Sequence, residues 1–381
     1  MTSPRPDSAG DAITGSERLA RLRLALSDNV GPATWHQLVS HYGSAEAAIE
    51  ILPELASRAG AGRRVRLYPA DRAERDLELT SKANGQLITF GEPAYPYMLA
   101  EAGQPPPVLF AAGNIELLNS PCCAIVGSRN ASANGRRFAR EVSFALGQAG
   151  WTVVSGLARG IDTAAHEAAL AAGTVAVMAT GLDVIYPAEN GGLAARISDG
   201  GCLVTEMPPG THPRAELFPR RNRIIAGLSA GLAVIEAALR SGSLITARLA
   251  NEMGREVFAM PGSPYDPRSQ GTNRLIQDGA SLLGAAGEIA MLLPGHSARM
   301  RPGPETAIVV AALVSPGSSA DGISETTRQT VLELLGPDPV ETDLLIRESG
   351  LSLRQVQEIL IELDLAGRLE RHPGQRVSIV G

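Results

Sequence analysis

From Cys122 onward the chain settles into a rhythm that few folds accept. Six short apolar runs, Cys122 to Val126, Trp151 to Ser155, Thr174 to Ala179, Cys202 to Thr205, Leu232 to Ile235 and Glu256 to Met260, alternate with helical or mixed segments. Runs that are apolar on nearly every residue read as strands buried on both faces, and their alternation with helices makes a parallel sheet covered on both sides. The fold class is therefore α/β, a doubly wound and mostly parallel sheet. Two earlier runs, Gln86 to Phe90 and Val108 to Ala112, read as further strands among proline-stiffened connections.

In such a sheet ligands bind beyond the carboxyl ends of the strands. The loops expected there are Gly127-Ser128-Arg129, Gly156 to Asp162, Gly181 to Pro187, Glu206 onward, Glu236 to Ser243 and Pro261-Gly262-Ser263. Glycine recurs where backbone must approach a ligand, with hydroxyls and arginines beside it.

The fourth loop is the richest. It holds Arg214 and then Phe218-Pro219-Arg220-Arg221-Asn222-Arg223, and its Pro and Gly content predicts a loop that opens into an apolar helix. Guanidinium groups at a helix start reinforce the preference for phosphate that free backbone N–H groups already have, and Phe218 offers a face on which a base can stack. The alternative is that these arginines only solvate the loop or bridge to acidic residues, with Glu206 and Glu236 holding them in place. Ser241-Gly242-Ser243 reads as a helix start with Ser243 as N-cap, which also leaves N–H groups free for phosphate.

Several functions lack their motifs. No Gly-x-Gly-x-x-Gly follows the first regular strand and no Gly-x-x-x-x-Gly-Lys-Ser/Thr occurs, which argues against dinucleotide-dependent redox chemistry and nucleotide triphosphate hydrolysis. Asp162 and His166 share a helix face and can orient a general base, but Asp162 as a helix cap and His166 as a surface or packing residue is the simpler reading. Cys122, Cys123 and Cys202 sit in apolar runs without disulfide or zinc spacing and read as buried strand residues. No catalytic residue, metal site or cofactor is expected. A net charge of −6 limits any nucleic-acid binding to a local basic patch. Of the 34 basic residues only Lys82 is a lysine, so the clustering of arginines carries the argument and not their identity. Neither a bilayer-spanning apolar run nor a signal peptide is present, and a cytoplasmic location with no membrane partner is expected.

The flanks differ in character. Residues 1–16 are expected to be a disordered tail and 17–85 an N-terminal helical domain. In the latter, two helices meet at Asn29-Val30-Gly31-Pro32 like a helix-hairpin-helix or SAM-like unit, which can either touch a DNA backbone or simply pack. The Rossmann domain spans 86–293. A linker follows at 294–322, interrupted by an apolar run at 307–314. Residues 323–381 read as three helices and a hairpin, a winged-helix-like domain. Its last helix sets Arg354 against Glu358, Glu362 and Asp364, a face better suited to protein than to phosphate.

Taken in order, the motifs Val126 to Arg129, Ser155 to Asp162, Thr180 to Asp183, Phe218 to Gly227 and Ser241 to Ala247 resemble the DNA processing protein A family (DprA, also called Smf) over about residues 86–293. The flanking units are similar to those of many members by layout. The resemblance implies an extended Rossmann-like domain over 86–293 and a non-enzymatic mediator that binds and protects single-stranded DNA as a homodimer, displaces or bypasses single-strand binding protein, and loads RecA in natural transformation. It places DNA contacts at Gly127, Ser128, Arg129, Phe218, Arg220, Arg221 and Asn222, and further at Gly156, Arg159, Ser241 and Ser243. It implies dimerisation through the later Rossmann domain, where Leu275 to Leu293 is apolar. The rival reading is a nucleotide-processing enzyme of the lysine-decarboxylase-like Rossmann group, although Pro261-Gly262-Ser263 and Gly271-Thr272-Asn273 depart from that group's glycine-rich motif and its glutamate.

Overall fold

The computed structural model describes residues 13–58, 66–293, 324–372 and 374–380. Most of the expected tail, the linker at 294–322 and the apolar run at 307–314 lie outside these residues. Helix starts earlier than the sequence suggests, because Thr14 accepts the Glu17 N–H at 3.2 Å and so caps α1 (Gly15–Ala25). The described residues fall into two compact units, residues 13–58 and 66–73 with 324–372 and 374–380, and residues 74–293.

In the first unit α1 is followed by α2 (Pro32–Tyr42) and α3 (Ala45–Arg58). Proline at the first position of α2 costs no hydrogen bond, and Gly43 ends the helix in the left-handed region at φ 83°. Glu17 joins the helices: its carboxylate accepts the Ala45 and Glu46 N–H groups at 3.0 and 3.1 Å and pairs with Arg21. Trp35 is fully buried, its indole N–H donating to Arg21 O.

The second unit begins within α4 (Ala70–Lys82) and contains one nine-stranded sheet. Its strands are β1 (Gly85–Thr89), β2 (Val108–Gly113), β3 (Cys122–Gly127), β4 (Thr152–Ser155), β5 (Thr174–Val177), β6 (Cys202–Thr205), β7 (Gly231–Ile235), β8 (Glu256–Ala259) and β9 (Ser281–Leu282). The order is β1-β2-β6-β5-β4-β3-β7-β8-β9. The six expected parallel strands are present within a residue or two of their sequence limits. β1 and β2 extend the sheet antiparallel, β2 pairing with β6 in the register Gly113↔Cys202. Its helices are α5 (Tyr97–Ala100), α6 (Ala133–Gln148), α7 (Ile161–Ala169), α8 (Gly191–Gly200), α9 (Leu217–Leu228), α10 (Gly242–Glu252), α11 (Gln270–Gln277) and α12 (Glu288–Leu292). Two apolar layers cover the sheet, one built around Val126, Val154, Val204 and Ile224, the other around Ile125, Val142, Ala165 and Phe258. The chain runs outward from β3 through β4, β5 and β6 and then returns to β7 on the other side of β3. The loops after β3 and β7 therefore diverge and leave a crevice at the carboxyl edge, where α/β sheets bind ligands.

Residues 324–380 complete the first unit as a winged helix, with α13 (Glu325–Leu334), α14 (Thr342–Ser349) and α15 (Leu353–Leu365), and a three-stranded sheet of β10 (Val340–Glu341), β12 (Arg376–Ile379) and β11 (Leu369–His372). Within this unit α15 packs on α2 and α3. Thr34 donates to Asp364 at 2.6 Å, Asn29 donates to Leu365 O at 3.1 Å, and Arg371 bridges Asp364 and Gln37 at 2.8 and 2.7 Å. The acidic residues of α15 thus face partners in protein. Among the described residues no helix is long and apolar enough to cross a membrane.

Candidate nucleic-acid interface

The crevice between β3 and β7 is a cleft of about 690 Å³. The β3 loop contributes Gly127, Ser128, Arg129 and Asn130; α9 contributes Phe218, Arg221 and Asn222; the β7–α10 loop contributes Arg240, Ser241, Gly242 and Ser243. A niche of about 50 Å³ is lined by Arg129 and Phe218 as well, together with Gly156, Arg159, Tyr186 and Arg221. Ten of the eleven candidate residues thus border the cleft or the niche. Arg220 lines neither. Its Nε lies 3.5 Å from buried Glu206, with which Arg223 also pairs.

The expected arginine loop is in fact the first half of α9. Pro219 misled the composition argument. In a first turn proline removes only an N–H that has no helical partner, so the helix tolerates it. Helical spacing then sorts the arginines. Leu217, Arg221, Ile224, Ile225 and Leu228 form the buried stripe, whereas Arg220 falls on its flank and stays exposed. Asn222 is buried too and donates to Gly242 O at 3.3 Å, which ties α9 to the start of α10. That start is capped by Ser241 and not by Ser243: the Ser241 hydroxyl accepts the Ser243 N–H and contacts the Ser243 hydroxyl at 2.7 Å.

Arg221 is 6% exposed, and its Nε has no hydrogen-bond partner. Burial pulls its pKa down to about 10, with Arg129 adding to the effect and Asp162 opposing it. A guanidinium held this way keeps its charge at neutral pH while leaving its Nε donor unused among the described residues. Gly156 makes room for it, since a Cβ at 156 would lie 1.3 Å from Nη1. Gly127 is required by a similar approach to Ile235 O, at 1.9 Å from its would-be Cβ.

The loop from Gly156 to Gly160 is held from below. Asp162 does not cap α7; its carboxylate accepts the Gly156 and Ala158 N–H groups at 3.1 and 3.3 Å. His166 is fully buried and not at the surface. Its Nε2 accepts the Leu157 N–H at 3.3 Å, and its Nδ1 meets the Thr174 hydroxyl, which itself donates to Val153 O. That pattern fixes the neutral tautomer with the proton on Nδ1. Burial, with Arg221 nearby, lowers the His166 pKa to about 3, and the fully buried ring has both nitrogens engaged, so it has no free lone pair to serve as a general base. Asn190 closes the loop by donating to Leu157 O at 2.8 Å. Leu157 can therefore hold a left-handed φ of 55°.

Two aromatic rings face each other at the niche. Phe218 lies 5.8 Å from Tyr186, edge to face, and the Arg129 guanidinium sits 5.2 Å from the Phe218 centroid. Tyr186, 46% exposed, was not singled out from the sequence. Its position in the Gly181 to Pro187 loop beyond β5 was the available signal. Glu236 departs from the expectation that it holds an arginine: it accepts the Ser132 N–H at 2.8 Å and the Ser132 hydroxyl, fixing the start of α6. The cysteines are buried strand residues as expected, and burial raises the Cys122 and Cys202 thiols to about 12, which leaves them protonated and unreactive.

A doubly wound sheet with an arginine-lined, aromatic-walled cleft at its switch point defines a Rossmann-type binder of phosphate-bearing ligands. The family described as DNA recombination-mediator protein A matches residues 86–294, and its N-terminal HHH domain and winged helix domain match 15–78 and 315–375. The chain belongs to this family, DprA/Smf, and its role is in DNA processing. Protein Smf of Synechocystis is 34% identical over 96% of this chain and 99% of its own length. The X-ray structure of DprA from Streptococcus pneumoniae aligns with a TM-score of 0.59 at 36% identity, covering 74% of this chain and 98% of that one. A Helicobacter pylori DprA structure, described as giving insights into that protein's single-stranded DNA binding mode, aligns with a TM-score of 0.52 at 29% identity over 56% of this chain and 98% of its own.

Proposed function

We propose that the chain is a single-stranded DNA-binding recombination mediator that acts without catalytic chemistry, shields the strand and loads RecA onto it. The observation that carries this reading is Arg221, a buried guanidinium whose Nε lacks a hydrogen-bond partner among the described residues, at the wall shared by the niche and the cleft. Leaving a buried charged donor unsatisfied is costly, and an incoming phosphate supplies acceptors and adds to the countercharge of Asp162. Phe218 and Tyr186 beside it offer ring faces, which an unpaired strand can use and a stacked duplex cannot. The single-stranded DNA binding described for the H. pylori relative agrees with this chemistry.

Strand shielding, RecA loading in natural transformation and exchange with single-strand binding protein belong to this proposal on the strength of the family resemblance, and a homodimer fits the same picture. β9 is the edge of the sheet, and Leu282 on it and Met291 and Leu292 on α12 are 53%, 78% and 59% exposed. An apolar edge of this kind favours pairing with a second copy.

Fluorescence anisotropy of a labelled single strand and of the same sequence as duplex, across salt concentrations, tests the proposal. The single strand is expected to bind more tightly, and Arg129→Ala to reduce the salt slope by about 0.7. Equal binding of both forms, or an unchanged slope, refutes the site. Release of free base from nucleoside monophosphates would favour the nucleotide-processing alternative.

A further inference from the structure

The cleft accounts for Phe218 but not for the most exposed aromatic residue among the described residues. Tyr265 is 92% exposed, on the loop between β8 and α11. That loop is firmly built. Asn273 accepts the Gly262 N–H at 3.1 Å and donates to Gly262 O at 2.9 Å, clamping its start. Asp266 and Arg268 form a two-contact ion pair at 2.8 and 3.0 Å, and Ser263 accepts the Tyr265 N–H at 3.3 Å. An aromatic ring held out on a braced loop loses little backbone freedom on binding, which is the property of a pre-organised contact.

The position of the loop gives the ring its context. β7 and β8 are parallel neighbours, so the loops at their carboxyl ends adjoin on the same rim. The Gly271 N–H, in the first turn of α11 where the second loop ends, donates to Ala237 O at 2.7 Å and ties that end to the first loop. From Ala237 the first of these loops runs through Ala238, Leu239 and Arg240 to Ser241, and all but Ala237 and Leu239 line the cleft. Arg240 is exposed and has no acidic partner among the described residues, whereas Arg268 on the neighbouring loop is committed to Asp266. A cation without an acidic partner among the described residues and an exposed ring thus stand on neighbouring loops of the same rim, the same pair of residue types as Arg129 and Phe218.

We propose that Arg240 at the rim of the cleft and Tyr265 beyond it form a second station for single-stranded nucleic acid, with Arg240 meeting a phosphate as the strand leaves the cleft and Tyr265 stacking the base that follows. This rests on the reading of the cleft as a single-strand site, and it extends the footprint from β3 across β7 to the end of β8. Stacking on tyrosine is indifferent to base identity, so the station adds length dependence without sequence preference.

The test compares oligothymidylates of about 4 and about 15 nucleotides, binding the full chain and its Tyr265→Ala, Tyr265→Phe, Arg240→Ala and Phe218→Ala variants. Tyr265→Ala is expected to weaken the long strand by about 5- to 150-fold and leave the short one unchanged, while Tyr265→Phe binds both normally. Arg240→Ala should lower the salt slope for the long strand. A strand carrying 5-iodouracil should cross-link to Tyr265. If Tyr265→Ala binds the long strand as tightly as the parent while Phe218→Ala does not, the second station does not exist. If Phe218→Ala binds both lengths unchanged, the cleft reading fails first and the station falls with it. A change in sedimentation of Tyr265→Ala without DNA would assign the ring to an interface between copies and overturn the proposal.

Discussion

Gly156 and Arg221 compete for one volume: a Cβ on residue 156 would stand 1.3 Å from Arg221 Nη1. The residues are 65 positions apart in the chain, one at the end of β4 and the other on the buried stripe of α9. Gly156→Ala must displace the guanidinium from its place beside Asp162. Single-strand affinity is expected to drop at least about tenfold, the scale of one lost charged hydrogen bond. Circular dichroism should show the sheet intact. Unchanged affinity would mean that Arg221 acts without its buried position.

Phe218 and Tyr186 are 5.8 Å apart and should act as a pair on the DNA. Each alanine variant is expected to weaken single-strand binding, Phe218→Ala by about 1–3 kcal/mol. The double variant should lose less than the sum, because neighbouring side chains that share a partner are not additive. Strict additivity in a double-mutant cycle would place Tyr186 outside the base contact.

His166 makes the fold acid-sensitive. Its pKa in the fold, about 3, lies below the ordinary 6.5, so between these values the unfolded chain binds a proton that the native chain refuses. Its stability contribution is complete above pH 6.5 and is lost as pH falls toward 3, at no more than about 1.4 kcal/mol per pH unit. Thermal melts from pH 7 to 4 should show this slope and show it reduced in His166→Gln. An identical slope in the variant would assign the acid sensitivity to other groups.

Asp364 accepts from Thr34 and Arg371 at 2.6 and 2.8 Å, linking the winged helix to the N-terminal helices of the same unit. Asp364→Ala strands both donors and is expected to cost about 1–3 kcal/mol of that unit's stability. Proteolysis should then cut preferentially in residues 13–58 or 324–380, while the 74–293 region stays protected. Equal resistance of parent and variant would show that the contact contributes nothing.

Much of the fold was legible because buried parallel strands leave a signal that needs no partner: Cys122 to Val126 or Leu232 to Ile235 is apolar on every residue, whatever its neighbours. The winged helix was legible for a similar local reason, with Ser324 and Ser352 capping helices that begin one residue later. Local rules failed at α9, where Pro219 reads as a loop signal unless the helix start is known, and at Asp162, which braces a loop and not the helix that contains it.

The sequence by itself determined the strands, most of the helices and the loops in which the phosphate-binding chemistry had to lie, since each follows from apolar periodicity, caps and glycine placement within a few residues. It could not rank Arg214, Arg220, Arg221 and Arg223, which are chemically the same and nearly adjacent. Tertiary structure decided that. The crossing of α9 over β4 buries one guanidinium against Gly156 and leaves its neighbours to Glu206, and burial and pairing are properties of the space around a side chain, set by residues far away in the chain.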